Sequence, residues 1–305
     1  MQERVKDLAK KLNYRPNPFA QSLRKEAPKV IGVVVPNLVT HYYAAVLDGI
    51  EDEARRSGYS VISANSHESF EDEARAIDNF LGLHVEGIIA CLAQTTTDYQ
   101  HFEEIASMGV PLVFFGRTCL TDHFSSVTAN GDEAAQQATQ HLIDTGSRRI
   151  AFVGGPNHLD MVRRRKHGYL EALRDNRLPV ERTLVVCDNI DYDVALRNTI
   201  ALLQRPDRPD AILAFNDIIT FAAFNAIKQC GLSIPDDVAL IGFTDDAHAR
   251  YTTPAMSTIE DQSFRMGQVA CQLLLDNIGG NMKVRKEIVR QKIVIRETSD
   301  KKNSR

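Results

Sequence analysis

The chain has 305 residues, 43% of them hydrophobic and 25% charged, which is enough apolar material for two cores. It has no apolar run near 18 residues and no apolar leader, so neither a membrane span nor a secretory signal is predicted. The net charge of −4 is uneven: residues 1–29 hold eight Lys/Arg against three acids, and the remainder 28 against 37, a basic arm on an acidic body.

In chain order, residues 2–13 read as a helix with Val5, Leu8 and Leu12 on one face. Pro16 and Pro18 break it, and residues 19–24 are long enough for one or two helical turns, too few to be stable alone. From Val30 the pattern changes. The continuous apolar run over residues 30–35 reads as a parallel strand buried on both faces. A helix over 42–57 follows, with Gly58 suited to its C-terminal cap. Then come strand 59–64, helix 70–83, strand 87–92, helix 98–108, strand 110–115 and helix 132–145, with a break at Gly146. A second series begins with strand 149–153 and helix 160–175. It continues through strand 183–187, helix 192–204, strand 211–215, helix 217–230 and strand 238–243. Helix 262–278 and strand 288–295 end it, and residues 300–305 read as a frayed tail.

Such alternation predicts an α/β protein of two doubly wound parallel-sheet lobes behind a short helical arm. The expected division is an arm over 1–29, a first lobe over 30–146 plus about 260–285, and a second over 147–259 plus about 286–299. In doubly wound sheets the crevice lies outside the C-terminal strand ends, so two facing lobes would enclose one small molecule.

Catalytic signatures are missing: there is no G-x-G-x-x-G, P-loop, G-x-S-x-G or H-E-x-x-H. The five cysteines (91, 119, 187, 230 and 271) are odd in number and have no CxxC pair, which fits reduced cytoplasmic thiols better than disulfides or zinc. No metal or cofactor is expected. The informative polar residues stand at strand ends: Tyr43 after the first strand, Arg163 after the first strand of the second series, Asn216 after 211–215, and Thr244 with Asp245 after 238–243. A guanidinium fork, an amide and a flat aromatic suit a polyhydroxylated or planar ring ligand. Helix capping by Asn216 and surface ion pairing by Arg163 are the alternatives at this stage.

Several ordered motifs together resemble the lactose-repressor (LacI/GalR) family of bacterial transcription regulators. Residues 12–24 (LNYRPNPFAQSLR) are similar to the end of its headpiece and its hinge helix. Residues 33–43 (VVVPNLVTHYY), 85–89 (VEGII), 149–156 (RIAFVGGP) and the R-x-R-x-x-G-Y run at 163–169 resemble its core. So do residues 215–217 (FND), 234–243 (IPDDVALIGF), 257–259 (STI) and 296–299 (RETS). The resemblance covers residues 2 to about 299. It implies a periplasmic-binding-protein-like core, a homodimer, and a cleft effector that alters operator affinity by shifting lobe closure.

Position by position, the resemblance implies Tyr43 as an aromatic that stacks on the ligand, Arg163 as its clamp and Asn216 as a partner for sugar hydroxyls. Thr244 and Gly116 stand where many members have Asp. The loss of Asp at 244 predicts a more positive site, favouring a sugar acid or sugar phosphate over a neutral sugar. In the hinge, Leu23 matches the leucine wedged into the minor groove, with Ala20 and Asn17 as packing and cap partners and Tyr14, Arg15 and Arg24 beside them. Family members begin with a helix-turn-helix, and Met1 falls just before what looks like its last helix. Operator DNA is therefore an expected partner once that major-groove reader is present. The arm alone is expected to hold DNA weakly and with little sequence choice. A cytoplasmic sugar-binding sensor without DNA function is the competing expectation.

Overall fold

A computed structural model of the chain describes residues 29–301 and, ahead of them, Leu8, Lys11 and Leu12. The hinge candidates Tyr14, Arg15, Asn17, Ala20, Leu23 and Arg24 lie outside the described residues.

Strands β1 (Val30–Val35), β2 (Ser60–Asn65), β3 (Gly87–Ala90), β4 (Leu112–Phe115) and β5 (Ser125–Ala129) begin the chain, with helices α1 (His41–Arg56), α2 (Phe70–Gly82) and α3 (Gln100–Ser107) between the first four. Then follow α4 (Gly131–Asp144), β6 (Ile150–Gly154), α5 (Asp160–Asp175), β7 (Val185–Cys187), α6 (Tyr192–Leu203) and β8 (Ala211–Ala214). The remainder is α7 (Asp217–Gln229), β9 (Ala239–Thr244), β10 (Ser257–Glu260), α8 (Ser263–Ile278), β11 (Lys286–Val289) and β12 (Lys292–Val294). One sheet runs β11-β5-β4-β3-β1-β2, parallel throughout. The other runs β12-β10-β9-β8-β6-β7, parallel except that β12 is antiparallel to β10.

The unbroken apolar run of β1 is explained by its two helical layers. Ile31, Val33 and Val35 point to one face and pack with Val46 and Ile50 of α1 and Leu274 of α8. Val34 points to the other and packs with Ile77 and Phe80 of α2 and with Phe102 of α3. Each such side chain contributes about 1.5–3 kcal/mol when fully buried, which is why neither face carries a polar residue. The helices in turn approach closely at glycines. A Cβ on Gly267 would stand 2.0 Å from the Val46 carbonyl oxygen across the α1–α8 contact, and one on Gly168 would stand 1.9 Å from the Asp132 carbonyl oxygen across α4–α5.

The predicted lobe boundaries need three corrections. Helix α4 belongs to the second lobe: Ala134, Ala138 and Leu142 lie in one core with Phe152 and Tyr169. The strand expected over 288–295 is two strands, β11 pairing with β5 in the first sheet and β12 with β10 in the second. Strands β5 and β10 were not predicted, because SSVTA and STIE are short and rich in hydroxyls. Among the described residues the chain thus crosses between lobes three times, at Asn130, Asp261 and Gln291, and these residues bond one another. The Gln291 backbone N–H donates to Asn130 Oδ1 at 2.8 Å, and the Gln291 side-chain amide donates to Asp261.

Candidate effector site

Between the lobes, at the C-terminal ends of both sets of strands, lies a cavity of about 250 Å³. Each wall follows a strand: Tyr42 and Tyr43 follow β1, Glu68 follows β2, Arg117 follows β4, Asn216 and Asp217 follow β8, Thr244 and Asp246 close β9, and Asp261 follows β10. Arg165 enters from α5, and Met161, Ile190, Phe215, Ile218 and Phe221 supply apolar surface.

Backbone strain gathers here. His67 and Glu68 both adopt positive φ (49° and 60°), as do Thr244 and Asp245 (89° and 51°) and the crossing residue Gln262 (49°). Non-glycine residues in this region cost roughly 1–3 kcal/mol each and persist where surroundings over-determine them, typically at functional sites.

Two buried arginines anchor the cavity. Arg117 grips Glu68 with both terminal nitrogens (2.6 and 3.0 Å) and donates to the Leu92 carbonyl at 3.1 Å. Burial works against the Arg117 charge, and the Glu68 carboxylate that it grips offsets this and leaves the guanidinium charged. Arg165, 2% exposed, lies 3.6 Å from Asp261, donates to the Phe215 carbonyl, and places its guanidinium carbon 3.8 Å from the Phe243 ring centroid and 4.8 Å from that of Phe215. Burial pulls its pKa down, partly opposed by Asp261. Its Nε is buried and has no hydrogen-bond partner among the described residues.

The carboxylates are unusual too. Burial raises Asp217 to about 7, against hydrogen bonds from Thr244 and the Asp246 backbone that favour the ionised form. Burial raises Asp261 to about 6, with Arg165 pulling the other way. Burial also lifts Tyr42 and Tyr43 well above the usual phenol range, so both remain neutral hydroxyls. Tyr43 packs edge-on between Tyr42 and Phe115, at 5.0 and 6.4 Å.

The structure gathers Tyr43, Asn216 and Thr244 in one cavity, with Asn216 also capping α7 through the Ile219 N–H. It removes two predicted members. Arg163 is 53% exposed, pairs with Asp160 and bonds the His158 carbonyl. It lines a separate interlobe groove with Arg164 and Lys286, whose cations already face Asp160 and Asp122. Asp245 points away from the cavity, 2.7 Å from Arg296 and 3.3 Å from Arg250, and Asp246 lines the cavity in its place. The expected positive site is overturned as well. Against Arg117 and Arg165 stand Glu68, Asp217, Asp246 and Asp261, so the acceptor that an Asp at 244 would supply comes from Asp217, which accepts from the Thr244 hydroxyl. At Gly116, φ is +64° and a Cβ would stand 2.9 Å from the Tyr42 hydroxyl.

The signal for Arg165 was legible in the sequence. Val162, Arg165, Tyr169 and Ala172 repeat at helical spacing and form the buried stripe of α5, which leaves Arg163 facing solvent. Among the described residues no group of three or more His, Cys, Asp or Glu is placed to hold a metal, and no helix is long and apolar enough to cross a membrane.

Two doubly wound lobes that enclose a walled cavity at their strand ends define a periplasmic binding protein-like ligand core, and residues 139–299 match the model of the periplasmic binding protein-like domain. Catabolite control protein A of Priestia megaterium is 31% identical over 277 residues, 89% of this chain and 82% of that protein. The ribose operon repressor of Bacillus subtilis (strain 168) is 32% identical over 267 residues, 87% of this chain and 78% of that one. A solved complex of the transcriptional regulator CelR with cellobiose superposes with a TM-score of 0.83 at 27% identity, covering 97% of this chain and 90% of that one. The chain belongs to the LacI family of transcription regulators.

Proposed function

We propose that this chain is the effector-sensing part of a cytoplasmic, homodimeric transcription repressor, and that its cavity takes a neutral polyhydroxylated ring, a mono- or disaccharide. The cavity's charge carries the ligand class. Once Glu68 is matched with Arg117 and Asp261 with Arg165, Asp217 and Asp246 remain with no arginine of their own; Asp217 accepts from the Thr244 hydroxyl, and Asp246 faces the exposed His248 ring at 2.7 Å. An anionic ligand would meet them at close range in a low-dielectric space, whereas sugar hydroxyls can donate to them. The half-buried Tyr42 and Phe221 rings in the cavity wall suit the apolar faces of a pyranose. The relatives support the regulatory reading: those named above are a catabolite control protein and an operon repressor, and CelR was solved with cellobiose.

The test is calorimetry of the full chain against neutral mono- and disaccharides, sugar acids, sugar phosphates and purines. The expected result is binding confined to neutral sugars and abolished by Arg165→Met. A sugar phosphate or sugar acid as the tightest ligand would overturn the assignment.

A further inference from the structure

The three crossings hold the lobes together on one side only. In the second sheet they adjoin β12 and β10, while β6 and β7 form the far edge. At that far edge the loops after β6 and β7 meet one residue of the first lobe, Gln94, in the loop after β3. The Gln94 carbonyl oxygen is 2.7 Å from His158 Nε2, and its side-chain Oε1 accepts from the Ile190 N–H at 2.9 Å. Away from the crossings, these are the two direct hydrogen bonds between the lobes among the described residues.

Gln94 is also fixed from its own side, by residues that wall the cavity. Its backbone N–H donates to Glu68 Oε2 at 2.7 Å, on the same carboxylate that Arg117 grips. The Thr95 hydroxyl donates to the Glu68 carbonyl at 3.0 Å and accepts from the Phe70 N–H at 2.9 Å, tying the loop to the N-terminus of α2. Glu68 sits at positive φ to make this reach, and Ile190, the residue the clasp holds, lines the cavity from the opposite lobe.

We infer that Gln94 is an interlobe clasp: a positioning residue that holds the lobes closed at the edge farthest from the crossings, set by the Glu68–Arg117 pair in the cavity wall. A molecule that shifts that pair moves the Gln94 backbone, and with it both bonds to the second lobe. The clasp rests on the effector reading only for its purpose. The two bonds lie within the chain itself and are tested without added ligand.

The experiment compares hydrogen exchange and small-angle scattering of the full chain with those of two variants. Gln94→Met keeps the length and loses the acceptor, whereas Gln94→Glu keeps an acceptor for the Ile190 N–H. In Q94M, exchange across residues 66–69 and 216–219, which bracket the cavity-lining Glu68 and Asn216, is expected to rise about fivefold, the weight of one net hydrogen bond, with a larger radius of gyration and a melting temperature lowered by no more than about 3 °C. Q94E is expected to match the wild type, and His158→Ala to open the lobes as Q94M does. A Q94M protein as closed as the wild type, or a Q94E protein as open as Q94M, would overturn the clasp. Failure of every sugar to bind would instead strike the effector assignment and leave this result standing.

Discussion

Replacing Arg165 by Met tests whether the buried cation holds the cavity together. Met preserves most of the stem volume and removes the charge, so the loss comes from four contacts: the Asp261 ion pair, the Phe215 carbonyl bond and the two ring contacts. Breaking a buried pair from one side costs about 3–5 kcal/mol, because the remaining charge is stranded. Here the lower end applies, since the pair is long at 3.6 Å and Asp261 keeps the Gln291 amide. The expected loss is therefore about 3 kcal/mol. Adding Asp261→Asn removes the stranded carboxylate and should recover about 2 kcal/mol of it, a positive coupling in a double-mutant cycle. The pH dependence follows the same logic. A folded-state pKa raised by burial means the folded state holds its proton more tightly, so the penalty is absent below about pH 4, grows through the folded value and is complete above it. For Asp261 that value is about 6 in the wild type, and it rises further once Arg165 no longer opposes it. R165M should thus regain stability between pH 8 and 5 more steeply than the wild type. Urea unfolding at both pH values measures all of this. A single-mutant loss under about 1 kcal/mol, or no recovery in the double mutant, would refute the account.

Arg163→Ala should change stability by no more than about 0.5 kcal/mol and leave sugar affinity unaltered, because its partner lies one helical turn away on an exposed surface; urea unfolding and calorimetry check both. Gly168→Ala should cost about 3 kcal/mol in thermal or urea unfolding, since its Cβ would meet backbone rather than a movable side chain. Asp217 sits near half-protonation at pH 7, so a sugar hydroxyl donating to it should favour the ionised form. Affinity should then rise from pH 6 to 8, with roughly half a proton released per ligand at pH 7; titrations in two buffers of different ionisation enthalpy read this directly.

The alternation of apolar strands with amphipathic helices disclosed both lobes because each run answers to one physical demand, burial on two faces or on one. The boundaries were harder. Helix α4 has the same amphipathic pattern whichever lobe it covers, so nothing local assigns it to the second. Strand β10, with its Ser, Thr and Glu, does not look like a strand, and the crossing residue Asp261 went unnoticed with it. The rule that ligand-facing residues follow strand ends points to Tyr43, Asn216 and Thr244, which do line the cavity, and the same rule applied to β4 points to Arg117. The rule misled at Arg163, because a residue on a helix is placed by rotation about the helix axis as well as by proximity to the strand. Two residues along α5, the side chain turns from solvent to the cavity.

The buried polar groups connect the cavity to the three covalent links between the lobes among the described residues. Arg165, on the second lobe, faces Asp261 in one crossing; Asp261 accepts from Gln291 in another; the Gln291 backbone bonds Asn130 in the third. Three of these four residues are buried: Arg165 and Asp261 are each 2% exposed and Gln291 7%. A ligand that draws on Arg165 therefore competes with Asp261, and Asp261 can answer only through Gln291 or by taking up a proton. Either response alters a bond made at one of the crossings. At the other edge, Glu68 plays the same part toward Gln94. The cavity thus touches both the crossings and the far contact through carboxylates already shared with arginines; on the effector reading proposed above, a neutral ligand would rearrange those shared bonds without having to neutralise either charge.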